Sequence, residues 1–196
     1  MEALNINEID QAYERIKPFI LKTPLITSDV INEICQCKVY FKLENLQWTG
    51  SFKLRGATNK ILQLSEEQKS KGIIAYSSGN HAQAVSYISN LFGIDAKIVM
   101  PSNAPLVKIN NTKKYGAQVV TYNPHKETRE KIASEIIIKE NRTLIKPYND
   151  LDIIAGQGTI GKEIVEELKM INVDPDIYLC CCGGGGLIAG SSTYIK

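Results

Sequence analysis

Three short segments of the chain hold residues that could do chemistry together. The first is Ser51-Phe52-Lys53-Leu54-Arg55-Gly56-Ala57. Ser51 is placed to cap a helix starting beside it, which sets Lys53 in the first turn. The positive end of that helix and the neighbouring Arg55 both favour an uncharged amine, the form a Schiff-base lysine needs. A solvated surface lysine is the plain alternative. The second segment, Ser77-Ser78-Gly79-Asn80-His81-Ala82-Gln83, gathers small hydroxyl and amide groups that can surround a carboxylate. Ser78 or Asn80 could instead do no more than cap a helix. The third is Gly183-Gly184-Gly185-Gly186-Leu187. Glycines reach positive φ without steric cost, and their N–H groups can converge on one anion. A helix opening there adds favourable potential for a phosphate. The alternative is a tight turn, for which four flexible residues carry a large entropic cost.

The elements that must position these segments follow from apolar spacing. Ile6, Ile9, Tyr13, Ile16 and Ile20 fall three and four apart, predicting a helix that Pro18 and Pro24 bring to an end. A short helix is expected over Asp29–Ile34. Residues 37–44 alternate, with Cys37, Val39, Phe41 and Leu43 on one side, as a strand does. Strand and helix patterns then take turns. Strands are expected at Ile73–Tyr76, Ala96–Met100, Ala117–Tyr122 and Leu144–Lys146. Helices are expected at Gly79–Leu91, Ala104–Lys114 and Glu127–Lys139, and through Ile160, Ile164, Val165, Leu168 and Ile171. A fully apolar strand, Ile177–Cys181, should run straight into the glycines. Such alternation predicts α/β layers around mostly parallel sheets. The Ser77–Gln83 segment then lies at the carboxyl edge of a parallel sheet, where open α/β sheets bind ligands.

Composition narrows the function classes. Lys and Arg number 23 against 21 Asp and Glu, a net charge of +2 with no basic block, so neither nucleic acid nor a membrane surface is an expected partner. The first residues lack the basic-then-apolar layout of a signal peptide, and a cytoplasmic protein is expected. The cysteines, Cys35, Cys37 and Cys180–Cys182, are odd in number and show no C-x2-C spacing; buried hydrophobes on strands are the expectation. His81 and His125 are the only histidines, too little for a His-based metal cluster or a hydrolase triad, and no metal site is expected. Gly156-Gln157-Gly158-Thr159-Ile160-Gly161 satisfies G-x-G-x-x-G and, through Lys162, most of a P-loop. No convincing strand precedes it, and Glu163 stands where a P-loop needs Ser or Thr, so both nucleotide readings are set aside.

In their order and chemistry, Ser-Phe-Lys-Leu-Arg-Gly-Ala, Ser-Ser-Gly-Asn-His and the four glycines resemble the fold-type II pyridoxal phosphate enzymes, the tryptophan-synthase-β-like group. Met100-Pro101, Ala104-Pro105, Lys108, Tyr115-Gly116-Ala117 and Ala155-Gly156-Gln157-Gly158-Thr159 extend the likeness over nearly the whole chain. Serine racemases and serine/threonine dehydratases are the nearest members. The resemblance implies two three-layer α/β/α domains with mostly parallel sheets. Residues 72–147 would form the small one, and 1–71 with 148–196 part of a large cofactor-binding one. Family members are considerably longer, so the large domain is expected to be incomplete and the chain truncated.

The resemblance also implies roles. Lys53 would hold pyridoxal 5′-phosphate as a Schiff base and serve as the proton-transfer base on one face. Phe52 would pack against the cofactor ring, Asn80 would bond its phenolic oxygen, and Gly183, Gly184, Gly185, Gly186 and Leu187 would cradle its phosphate. Ser77, Ser78, Asn80 and His81 would surround the substrate carboxylate. Racemisation needs an acid/base group opposite Lys53. Ser78 matches the serine that serves this purpose in eukaryotic serine racemases, where bacterial threonine dehydratases usually carry alanine. Serine racemisation with β-elimination as a side activity is therefore the leading expectation. Threonine/serine dehydration and an inactive module of the same fold are the alternatives. Ser28, Thr49, Gln83 and Tyr115 match residues that bind Mg-ATP between subunits in mammalian racemases, whereas Asp29 and Trp48 depart from that site. ATP and Mg2+ or Ca2+ are implied as activators, and a homodimer as the full-length assembly.

Overall fold

The computed structural model describes residues 4–196. Its chain runs through α1 (Ile6–Ile16), β1 (Leu25–Thr27), α2 (Asp29–Cys35), β2 (Tyr40–Lys42), a 3-10 turn at Glu44–Leu46, α3 (Lys53–Leu62), α4 (Glu66–Lys71) and β3 (Ile73–Tyr76). It continues through α5 (Asn80–Leu91), β4 (Ala96–Pro101), α6 (Leu106–Lys114), β5 (Gln118–Tyr122), α7 (Arg129–Glu140), β6 (Thr143–Leu144), α8 (Leu151–Met170) and α9 (Gly186–Ile195).

Four strands make a parallel sheet in the order β5-β4-β3-β6. Alternate residues serve opposite faces. Ile73, Ala75, Ile98 and Met100 are buried with Leu54 and Ile61 of α3 and Val85 and Ile88 of α5. Ile74 and Val99 face the other way, onto Ala133, Ile132 and Ile136 of α7. Three layers result. Each fully buried isoleucine among these contributes roughly 1.5–3 kcal/mol. Outside this sheet, β1 and β2 form an antiparallel pair, and α1, α3, α8 and α9 pack on one another.

Helix α8 explains the rejected nucleotide motif. All three of its glycines lie inside a 20-residue helix, and each admits a neighbour too close for a side chain. A Cβ at Gly156 would stand 2.6 Å from Gly56 Cα of α3, and one at Gly158 would stand 2.8 Å from Ile9 Cδ1 of α1. One at Gly161 would stand 2.6 Å from the Ser191 carbonyl oxygen of α9, whose Gly190 is pressed as tightly against Ile154 and Gly158. The spacing serves helix packing rather than phosphate. Glu163, the residue that argued against a P-loop, is fully buried. It accepts from Arg55 Nη1 at 2.7 Å and Nη2 at 2.9 Å, and pairs with Lys42 Nζ at 2.8 Å.

Several expectations need correction. Ile177–Cys181 forms no strand, because no neighbouring strand among the described residues offers ladder partners; Ile177 and Leu179 are 75% and 87% exposed. The cysteines are not buried on strands: four are exposed and Cys180 is half-buried. Cys180 and Cys181 fall in that unpaired stretch and Cys182 just beyond it, and Cys35 and Cys37 sit at and just beyond the end of α2, a helix with no buried residue. Helix α8 begins at Leu151, nine residues before the first apolar position that predicted it, with the Asp150 side chain accepting from the N–H groups of Asp152 and Ile153. The strand expected over 37–44 shortens to Tyr40–Lys42, where β1 supplies its only partner among the described residues. No helix among the described residues is long and apolar enough to cross a membrane.

Candidate active site

Helices α1, α4, α7 and α8 start with side-chain caps from Asn5, Ser65, Thr128 and Asp150. Helices α3, α5 and α9, which open on the three motifs, have none, and neither do α2 and α6. The first N–H groups of a helix have no partner within it, so an uncapped start keeps donors free for a ligand. At α5 the cap position is Gly79, and the Ser77 hydroxyl accepts from the Gly79 N–H at 3.1 Å, leaving Ser78 and Asn80 exposed. Neither Ser78 nor Asn80 caps the helix. At α9 the cap is Gly185, whose φ of 84° is a left-handed conformation that suits glycine.

Lys53 is the first residue of α3, and its half-buried ammonium lies 5.3 Å from the Phe52 ring centre. Burial lowers its pKa. That favours the free amine, though not for the reasons the sequence suggested. Ser51 is not the cap: Phe52 takes that position, and the buried Ser51 hydroxyl has no partner among the described residues. Arg55 does not act on Lys53 but turns to Glu44 and Glu163. Burial alone would lower the Arg55 pKa, but the hydrogen bonds to Glu44 and Glu163 outweigh it and keep the guanidinium charged.

One connection ties the motifs together. The chain leaves β6 through Ile145-Lys146-Pro147-Tyr148 before α8. Lys53 Nζ donates to the Pro147 carbonyl oxygen at 2.5 Å. His81 Nε2 lies 3.0 Å from the Ile145 carbonyl oxygen, which makes Nε2 the protonated nitrogen. A Cβ at Gly184 would stand 2.3 Å from Cδ1 of Tyr148, so that ring lies against the glycine-loop backbone. Helix α3, helix α5 and the glycine loop thus meet the same four residues. Sequence reasoning passed over this strap; the Pro-Tyr pair after a short strand was its only signal.

His81 departs from its expected role. Its ring is 3% exposed, and burial pushes its pKa down to about 4, so it is neutral and bonded to the strap. What it offers at the mouth of α5 is its backbone N–H. The four residues matched to a nucleotide site lie on four different segments of the chain. Gln83 accepts from Asn111 at 3.4 Å, and Tyr115 packs edge-on to Tyr87 at 5.7 Å, both where α5 meets α6. Ser28 caps α2 without a side-chain bond, and the buried Thr49 hydroxyl has no partner. A cleft of about 940 Å³ lies beside the motifs, touching Phe52 and Leu187 but not Lys53, Asn80 or the glycines. The chemistry belongs to the three helix starts, which lie outside the lining of this cleft apart from Phe52 and Leu187.

Residues 16–196 match the family model of the pyridoxal-phosphate dependent enzymes. The chain belongs to that family. It is 50% identical over 196 residues to the catabolic L-threonine dehydratase TdcB of Staphylococcus aureus (strain N315), covering 98% of this chain and 55% of that protein. It is 46% identical over 186 residues to the serine racemase of Schizosaccharomyces pombe, covering 95% and 56%. The crystal structure of serine racemase from Dictyostelium discoideum superimposes with a TM-score of 0.91 at 41% identity, covering 97% of this chain and 61% of that one. The fold is thus the α/β fold of fold-type II pyridoxal phosphate enzymes, and the chain spans about half the length of the curated relatives it matches. The residues present fit the family cofactor. Gly183 and Gly185 have open space where a side chain would stand, the start of α9 is uncapped, and Lys53 has a lowered pKa. Lys53 would hold the cofactor's carbonyl carbon, Asn80 its ring, and the glycine N–H groups its phosphate.

Proposed function

We propose that the whole protein is a serine racemase that also eliminates the β-hydroxyl of serine to give pyruvate and ammonia. Pyridoxal phosphate, when bound, supplies an electron sink for the charge left at Cα. The remaining work falls to the chain. Lys53 Nζ takes or returns the Cα proton on one face, and burial, which lowers its pKa, favours the free amine over the ammonium. The uncapped start of α5, with the Ser77 and Asn80 side chains, receives the substrate carboxylate. The Ser78 hydroxyl, exposed at the same helix start, moves the proton on the opposite face.

Ser78 is the observation that carries the choice of racemase. Dehydration of threonine or serine is the second possibility, favoured by the 50% identity to the S. aureus dehydratase. In either case residues 72–147, which contain all four parallel strands, act as a small domain, and two copies assemble. Chiral analysis of serine together with keto-acid release tests the choice. Wild type is expected to interconvert L- and D-serine and to release some pyruvate, and Ser78→Ala to lose racemisation by about 100-fold or more while keeping elimination. Equal loss of both activities in the variant would overturn the role of Ser78. Pyruvate without D-serine from wild type would make the protein a dehydratase.

A further inference from the structure

The strap that joins the motifs is anchored at one point by an aromatic ring, and no catalytic role described above uses it. Tyr148 is 38% exposed, yet its ring lies so close to Gly184 that a methyl group there would stand 2.3, 2.4 and 2.7 Å from three ring carbons. Its Cβ lies in ordinary contact range of the Gly186 position, at 3.5 Å. The preceding residue carries the carbonyl that accepts from Lys53 Nζ. Two positions further back, Ile145 is bonded to His81. The Pro147 carbonyl and the Tyr148 nitrogen belong to one planar peptide unit, so the step from Tyr148 to that carbonyl is short and stiff. With the ring off its seat, that peptide unit and the oxygen that holds the lysine lose their support on the glycine loop.

We infer that Tyr148 is a positioning residue: its ring, seated on the Gly184 backbone, sets the strap so that the Pro147 carbonyl holds the Lys53 amine beside the glycine loop. The inference rests on Lys53 being the amine that combines with the cofactor. It explains why residue 184 is glycine although its φ lies outside the left-handed region. The constraint there is the ring, not the backbone.

The first measurement is the rate at which the near-visible imine band forms when pyridoxal phosphate is added. Tyr148→Phe keeps the ring and should match wild type. Tyr148→Ala and Tyr148→Leu lose the flat seat and should slow the band by about 10- to 100-fold, the scale expected for an ångström of misplacement. A wild-type rate in the folded alanine or leucine variant would overturn the inference, as would a phenylalanine variant as slow as they are. The second measurement needs no cofactor. Gly184→Ala should lower the melting midpoint of the wild-type chain by about 3 °C or more, and by much less when Tyr148 is already alanine or leucine. Equal lowering in both backgrounds would show that the ring does not sit on residue 184. Should wild type form no band at all, the assignment of Lys53 falls, while the melting comparison still decides whether the seat exists.

Discussion

Lys53 and His81 are both basic groups made less basic by burial, yet they meet it differently. Lys53 is half-buried and keeps an acceptor on the strap. His81 is enclosed, and its neutral ring uses one nitrogen for the Ile145 carbonyl while Nδ1 has no partner among the described residues. A histidine whose folded pKa is about 4, against an ordinary 6.5, binds fewer protons folded than unfolded between those values. Its stabilisation is complete above about pH 6.5 and fades as the pH falls to about 4, a linked loss on the order of 3 kcal/mol. His81→Gln keeps an N–H for Ile145 but does not titrate. Thermal melting at neutral pH and near pH 4.5 should therefore show a smaller decline in the variant than in wild type. Parallel declines would mean that His81 is not held neutral. None of this is visible in Ser-Ser-Gly-Asn-His as letters: the motif announces a histidine at a helix start and is silent on which way its ring turns.

At the scale of elements, the site is two walls on one support. Helix α3 carries Lys53, α9 follows the glycine loop, and both rest on α8 through glycine contacts. Buried charge adds to this: Arg55 of α3 and Glu163 of α8 form two parallel hydrogen bonds with no exposed surface. The glycines should not be equally sensitive. At Gly156 the obstacles are the Gly56 Cα and the Arg55 carbonyl oxygen, 2.6 and 2.7 Å from a new Cβ, and backbone cannot yield. At Gly158 the nearest obstacle is the buried Ile9 side chain at 2.8 Å, with the Gly190 carbonyl oxygen at 3.0 Å, so most of the squeeze falls on a side chain rather than on backbone. Gly156→Ala should cost about 2–3 kcal/mol by overpacking. Gly158→Ala should cost less, about 1 kcal/mol, since alanine's better helix propensity offsets part of the squeeze. Denaturant unfolding of the two variants measures this order directly. The alternating pattern in the sequence located β3, β4, β5, α5, α6 and α7 to within a few residues, because each pairs or packs with its neighbours in the chain. It misjudged Ile177–Cys181, where an apolar run lacks the adjacent strand that would make it one. The three motifs were legible as segments; the strap was not, because its bonds run through main-chain oxygens, which every residue has.

For the whole molecule, the uneven covering of apolar surface is the main physical fact. The parallel sheet is enclosed on both faces, whereas Met170, Ile177 and Leu179, near the glycine loop in sequence, are each at least 75% exposed. Such patches bind hydrophobic dyes and promote association. Replacing Ile177 and Leu179 together by lysine should cut dye fluorescence several-fold while leaving the unfolding free energy within about 0.5 kcal/mol, since neither side chain is packed. A large loss of stability instead would mean that the segment is bound down. The glycines of α8 also bear on how the chain reaches its final form. Each costs a helix about 1 kcal/mol relative to alanine, so three of them weigh roughly 3 kcal/mol against α8 as an isolated segment. A helix so handicapped gains its persistence from α1, α3 and α9 closing on it, and during folding it consolidates with them rather than before them. The amine of Lys53 and the loop from Gly183 to Gly186 therefore come into register late, in one cooperative step. A chain that has failed to close around α8 has no half-built site with which to react.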